Sequence, residues 1–291
     1  MWLRVPLALL GAGVACVLYG VLIERRWYRL VRRRLDILPA DAPRPLVLLH
    51  LSDLHLVRGD RRTAAFLSRL PRPDVTVVTG DLVGEPVAVE DTAAALRPVR
   101  GRLASFFVLG SNDHFAPRPL NYLAYFRGRR RRRRPPPGRA GDLVAQLAAD
   151  GWRHLRNVRE EVDLDGLPLE VLGLDDAHIA RHDLRVAPRG APERFGLAVT
   201  HSPDVVPELA ALGYDLVVAG HTHGGQVRLP LVGALVTNSH LPRRLASGLF
   251  RVGPTIVHVS PGLGTSKFAP FRFLCRPEAT ILELGPRPPR A

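Results

Sequence analysis

Seven residues of this chain share a chemistry. They are Asp53 and His55 in LSDLH, Asp81 in TGD, Asn112 in GSND, His201 in VTHSP, and His221 and His223 in GHTHGG. Each offers an oxygen or an imidazole nitrogen, and none offers a thiolate. Such a donor set suits divalent first-row metals. Seven donors exceed what one ion takes, whereas two ions that share a carboxylate would use them all, and Asp81 is the candidate bridge. A paired centre of that kind can activate a water molecule. A lone histidine behind a strand is more often a packed core residue, and a lone Asp-x-His match is weak. The weight lies in the recurrence.

The elements that must position these residues are legible as short apolar runs. Residues 46–51, 75–79, 106–109, 197–200 and 216–219 read as buried strands, and each is followed by members of the set. Side chains at the carboxyl ends of such strands converge on one crevice of an α/β sheet. Residues 63–70, 87–96 and 142–149 read as helices, the last stopped by Gly151. Asp165-Gly166 marks a hairpin, and residues 256–260 and 280–284 add two strands. Gly220, Gly224 and Gly225 let backbone approach the site closely. Asp175 and Asp176 end a strand, either as turn formers or as partners that orient a histidine. His50, His178, His182, His240 and His258 read as core or surface residues.

The motifs resemble those of the calcineurin-like metallophosphoesterases. That family's pattern is D-x-H, G-D, G-N-H-[DE], H and G-H-x-H. Here it stands as Asp53-Leu54-His55, Gly80-Asp81, Gly110-Ser111-Asn112-Asp113, His201 and Gly220-His221-Thr222-His223. The likeness spans residues 46–284, and the tail SPGLGTSKFAPFRFLCRPE is similar to the membrane-associated bacterial branch. The resemblance implies an α/β fold of two packed mixed β-sheets flanked by helices. It implies one ion on Asp53, His55, Asp81 and His223, and a second on Asp81, Asn112, His201 and His221. It also implies in-line attack by a bridging hydroxide on a phosphodiester or a pyrophosphate, the latter lipid-linked in some relatives. The imidazole-rich set suits Mn²⁺, Fe or Zn²⁺ better than Mg²⁺. The third motif departs from the family. A serine separates Gly110 from Asn112, Asp113 takes the place of the family's histidine, and His114 follows one residue late. In the family that histidine is the general acid. His114 is favoured over Asp113 for the part, because a carboxyl group near cations stays ionised.

The net charge of +14 is local: seven arginines lie in residues 1–36 and eight in residues 127–139. The catalytic surface is therefore not expected to be broadly basic, and high charge alone argues little for nucleic acid. The two cysteines, Cys16 and Cys275, offer no disulfide framework and no thiolate site. Residues 5–23 carry no charge, which predicts a transmembrane anchor over residues 1–24. A signal peptide fits less well, since the n-region has only Arg4 and no small-x-small cleavage site follows. Residues 25–45 read as a basic juxtamembrane segment and linker, and 46–291 as the catalytic domain. Six arginines within residues 25–34 put that domain on the cytoplasmic side of a single-pass membrane protein. The run RGRRRRRRPPPGR at 127–139 reads as a solvated loop, or as a clamp for anionic lipid head groups. Two other functions compete with hydrolysis of a phosphoester at an anchored site. One is a non-catalytic anchored protein that binds anionic lipid or nucleic acid through the Arg run. The other is a nuclease recruited by it, which the lack of interleaved aromatics disfavours, so no specific nucleic acid is expected.

Overall fold

The structure, a computed structural model, describes residues 4–119 and 135–288. Strands β1 (Arg29–Leu38), β2 (Leu46–Leu51), β3 (Val75–Thr79), β4 (Ala104–Val108) and β5 (Arg153–His154) belong to one six-stranded sheet. Strands β6 (Val158–Leu164), β7 (Leu167–Gly173), β8 (Phe195–Val199) and β9 (Leu216–Ala219) belong to a second. A two-stranded ribbon, β10 (Arg228–Leu229) with β11 (Gly233–Ala234), precedes β12 (Gly248–Val252) and β13 (Thr255–Val259), which complete the second sheet. The last strand, β14 (Glu278–Pro286), returns to the first sheet. The orders are β1-β14-β2-β3-β4-β5 and β12-β13-β9-β8-β7-β6. Within the first sheet β2, β3, β4 and β5 run parallel while β14 opposes β2, so the sheet is mixed. The second is mixed too, with β7, β8, β9 and β13 parallel and β6 and β12 reversed at its edges.

Alternation along the strands builds the layers. In β2, Leu46 and Leu48 join Val75, Val77 and Phe106 against Val171, Val199 and Val218 of the second sheet. Leu49 and Leu51 of the same strand face the other way, onto helices α2 (Arg61–Leu67), α3 (Val89–Leu96) and α5 (Ala140–Ala149). A short turn of helix, α4 (Ser111–His114), lies between α3 and α5 in the chain, and α6 (Val206–Ala211) covers the outer face of the second sheet. Phe106 and Phe107 point to opposite sides of β4 and are both fully buried, worth roughly 1.5–3 kcal/mol each. Two mixed sheets between helices is the architecture that the sequence leads one to expect.

The N-terminal expectation is corrected. Among the described residues no helix is long and apolar enough to cross a membrane. Helix α1 (Arg4–Leu18) has 15 residues, about 22 Å of rise against a hydrocarbon core of about 30 Å. The α-helical hydrogen-bond pattern stops at Leu18. Tyr19–Ile23 widens into a π turn and Glu24–Arg26 tightens into a 3₁₀ turn. Glu24 is buried there, and its carboxylate accepts the backbone N–H groups of Leu274 (2.9 Å) and Cys275 (2.6 Å). Gly20 is buried as well, its carbonyl accepting the N–H of Arg272 at 3.3 Å. The arginines expected beside a membrane, Arg29 and Arg32–Arg34, lie on β1 and pair along β14. Neither the transmembrane helix nor the single-pass localisation stands. A hydropathy window counts composition and is blind to where the chain turns. Residues 127–134 of the Arg-rich run lie outside the described residues.

Candidate metal centre

The site forms where the strands end. Asp53 and His55 follow β2, Asp81 follows β3, and His221 and His223 follow β9. These five residues have positive φ, at 47°, 42°, 52°, 70° and 50°. Left-handed backbone is uncommon outside glycine and costs about 1 kcal/mol or more per residue. Such turns reverse the chain at once, so each donor side chain is left at the rim of the sheet. Close approach is the second requirement. A Cβ on Gly110 would collide with Asp81 Oδ1, and one on Gly220 with Ser52 Oγ.

Four residues converge: Asp53, His55, Asp81 and His223 each bring one donor atom within 4.8 Å of the others. His55 Nε2 and His223 Nε2 lie 3.1 Å apart, His223 Nε2 lies 3.4 Å from Asp53 Oδ1, and His55 Nε2 lies 3.5 Å from Asp81 Oδ2. Asp53 is fully buried. Its Oδ2 accepts from Ser52 Oγ (2.6 Å) and from the His221 N–H (3.0 Å), while Oδ1 has no hydrogen-bond partner among the described residues. An orphaned buried carboxylate oxygen costs about 1–3 kcal/mol or more. Here it faces two imidazole nitrogens at one focus, which is what a divalent cation would satisfy. These residues fit a metal ion.

A second group adjoins the first through Asp81. Asp81 Oδ1 lies 3.7 Å from His201 Nε2, and His201 Nε2 lies 3.3 Å from His221 Nδ1. His201 Nδ1 meets the carbonyl of Thr79 at 2.7 Å. That bond fixes the tautomer and, in the neutral ring, turns the Nε2 lone pair inward. Asn112 donates its backbone N–H to Asp81 Oδ1 (2.8 Å) and its side-chain amide to Oδ2 (2.6 Å). All seven residues named from the sequence therefore meet at one place.

Burial and charge act against each other here. Burial raises the Asp53 carboxyl to about 6 despite the nearby His201. Burial would also raise Asp81, but His201, His55 and the Asn112 hydrogen bonds outweigh it and hold Asp81 below the usual carboxylate range. Burial would lower His201, yet Asp81, Asp176 and Asp53 push it up to about 9. Burial, with His201 and His178 beside it, pushes His221 down to about 3.

The two acid candidates separate. Asp113 is fully buried, and its carboxylate accepts three backbone N–H groups, from Leu82 (2.8 Å), Val83 (3.0 Å) and Gly110 (2.9 Å). Burial and the Asp81 charge raise it to about 7. It ties the two ligand loops together. His114 Nε2 instead meets Asp175 Oδ1 at 2.7 Å, and Asp175 Oδ2 is held by Arg181 (3.2 Å) and Arg156 (3.4 Å). Asp175 thus partners a histidine, though not one of the seven. Asp176 is buried beside it, takes the His178 N–H on Oδ1 (2.8 Å), and leaves Oδ2 without a partner among the described residues.

Sequence reasoning missed Arg272. It is fully buried and donates to the carbonyls of Pro261 (2.8 Å), Gly262 (3.2 Å), Gly264 (2.6 Å) and Cys275 (3.2 Å). The loop it gathers packs on the site: Leu263 N–H meets Ser52 O (3.1 Å), and Gly264 N–H meets Asp53 O (2.6 Å). Its only signal was its place in the tail SPGLGTSKFAPFRFLCRPE.

Comparisons with known proteins agree with this geometry. The family model for the calcineurin-like phosphoesterases matches residues 46–225. The chain is 27% identical over 242 residues to an uncharacterized metallophosphoesterase, YkuE, of Bacillus subtilis, covering 81% of this chain and 76% of that one. It is 26% identical over 267 residues to the phosphodiesterase YaeI of Escherichia coli, covering 90% of each. It is 25% identical over 255 residues to a second uncharacterized metallophosphoesterase of Bacillus subtilis, YkoQ, covering 86% of each. The matched span begins with β2 and closes just past His223. The chain belongs to the calcineurin-like phosphoesterase family, and it is a metal-dependent phosphoric ester hydrolase.

Proposed function

We propose that this chain hydrolyses a phosphodiester or a pyrophosphate at a centre for two divalent ions, Mn²⁺, Fe or Zn²⁺. Asp53, His55, Asp81 and His223 would hold one ion, and Asp81, Asn112, His201 and His221 the other. The observation that carries this reading is the position of Asp81, whose two oxygens face different histidine groups at 3.5 and 3.7 Å. A pair of ions supplies an activated water at neutral pH and charge neutralisation of the phosphoryl oxygens.

The residues of the chain do the rest. Thr79 O holds His201 in the tautomer whose Nε2 faces inward. Asn112 locks the Asp81 carboxylate with two hydrogen bonds, so its two oxygens keep their directions. His114 is the proton donor for the leaving oxygen: with Nε2 bonded to Asp175, Nδ1 is the nitrogen that remains to give a proton. Asp113 braces the loop from below. Against the alternative of a non-catalytic binding protein stands the convergence of Asp53, His55, Asp81 and His223 on one focus.

The test is metal analysis coupled to turnover. The chelated protein should not hydrolyse bis(p-nitrophenyl) phosphate, and Mn²⁺ should restore hydrolysis at about two equivalents per chain. Asp81→Asn should lower both the metal content and the rate, the rate by about 10² or more. Full turnover in the metal-free protein, or saturation at one equivalent, would overturn the reading. Aryl diesters, nucleotide diphosphate sugars and phospholipid head groups, assayed side by side, identify the group beyond the phosphoryl centre and whether the substrate is lipid-linked.

A further inference from the structure

A cavity of about 610 Å³ opens beside His55, and Leu54 and His55 form part of its wall. Arg25, Arg26, Arg58, Arg61, Arg62 and Lys267 line it. Two carboxylates accompany them, and both are occupied. Asp60 caps α2 through the Thr63 N–H (3.1 Å) and hydroxyl (2.7 Å). Glu85 takes the Arg58 N–H (2.9 Å) and Lys267 Nζ (2.5 Å). Among the described residues, no carboxylate lies within ion-pair distance of the side chains of Arg26, Arg58, Arg61 or Arg62. Arg61 and Arg62 moreover open α2, where a helix favours anions over cations. Among the described residues, four guanidinium groups outside any ion pair thus line one cavity. Thr265 and Ser266 add hydroxyls to the same wall.

We propose that this groove is a subsite for a second phosphoryl group of the substrate, beyond the one at the metal centre. Guanidinium groups bind phosphate through charge-assisted, often bidentate hydrogen bonds, which fits the arginines here better than a neutral or cationic ligand. His55, one of the four convergent donors, also stands in the wall of the groove, so the second phosphoryl group would lie on the His55 side of the centre. The preferred substrate is then a pyrophosphate, or a diester whose alcohol carries its own phosphate. This inference rests on the phosphoesterase reading above and narrows it.

The test uses the metal-loaded full chain and two esters that differ in one group: thymidine 5′-(p-nitrophenyl phosphate) with and without a 3′-phosphate. The native protein should favour the phosphorylated ester by about tenfold or more in kcat/KM, and R58A/R61A/R62A should bring the two within about threefold. Added salt should shrink the native preference, since exposed charges are screened beyond about 10 Å at 0.1 M. A salt-insensitive preference overturns the proposal, as does one that the triple variant retains. A free-phosphate site is a separate outcome. There the native protein treats the esters alike, yet in equilibrium dialysis binds one more equivalent of inorganic phosphate than the variant, which also overturns the proposal. Failure to turn over either ester, or bis(p-nitrophenyl) phosphate, would instead strike the phosphodiesterase reading.

Discussion

Replacing Arg272 by leucine should be among the most destabilising single changes in this protein. The side chain is fully buried and its guanidinium reaches four backbone carbonyls, at 2.6 to 3.2 Å. Leucine fills much of the volume and none of the hydrogen bonds. An apolar isostere is tolerated when both partners of a polar contact change together, but these partners are backbone and stay. A buried acceptor left unsatisfied costs about 1–3 kcal/mol. Gly262 O keeps the Glu278 N–H at 3.1 Å, so three acceptors are left, at about 3–9 kcal/mol together, and the loop 261–264 should open to water and relieve part of that cost. Removing one side of a buried charged network typically costs about 3–5 kcal/mol, and we expect a loss in that range. For a chain of this size each kcal/mol moves Tm by about 2–4 °C, which gives a drop of roughly 6–20 °C. Because Gly264 N–H meets Asp53 O at 2.6 Å, the same change should loosen the first ligand turn and weaken Mn²⁺ binding. Differential scanning calorimetry with and without Mn²⁺ reads both effects. A melting point within 2–3 °C of the parent, with unaltered metal affinity, would refute the account of Arg272 as the clasp of the site.

His114→Ala should slow poor leaving groups by about 10²–10⁴ and nitrophenyl esters far less, and Asp175→Asn should slow the same poor leaving groups to a smaller extent. Equal loss on both kinds of ester would remove His114 from its role. A buried histidine pair should set the acid limit of the fold: His50 Nδ1 meets His258 Nδ1 at 2.7 Å between the sheets, and burial pushes His258 down to about 3 and His50 well below its ordinary value. Folded values below the unfolded one favour the neutral rings. Their contribution is therefore whole above pH 6.5 and is lost, by roughly 1.4 kcal/mol per titrating ring and pH unit, as the pH falls from 6.5 toward 3. Urea denaturation of His50→Phe/His258→Leu should show a flatter dependence on pH across that window, and an unchanged slope would disprove the link.

The strands and the donor set are legible because both rest on local signals, whereas the packing of two mixed sheets comes from the family resemblance alone. Strands buried on both faces read as plain apolar runs, and β2, β3 and β9 begin and end where those runs do. The seven donors were visible because each sits directly behind such a run. What escaped depends on contacts between distant parts of the chain. Residues 25–45 read from sequence as a basic juxtamembrane segment and linker, because RLVRRRLDIL shows its strand character only once β14 supplies a partner 249 residues away. The apolar N-terminus reads as a membrane span because nothing in its composition shows that Glu24 docks under Cys275. Asp113 was weighed as an acid because sequence cannot show that three N–H groups consume its carboxylate. Arg272 was passed over because its partners are carbonyls, which leave no trace in residue types.

The strand order also bears on how the chain is made. β1 stands at the edge of its sheet and bonds only to β14, which ends at Pro286. Residues 29–38 leave the ribosome well before their sheet partner, since Arg29 and Glu278 are 249 positions apart. While the intervening residues are made, at about 5–20 per second, this strand waits with its backbone groups unpaired. An unpaired strand is a template for aggregation, and positive charge along it is one known defence. Arg29, Arg32, Arg33 and Arg34 supply that charge in four of ten positions. Once β14 is in place, Arg29 and Arg32 find Glu278 and Glu283, at 2.7 and 2.9 Å. The nascent chain thus carries its own solubilising tag, which is built into the sheet once β14 has been made.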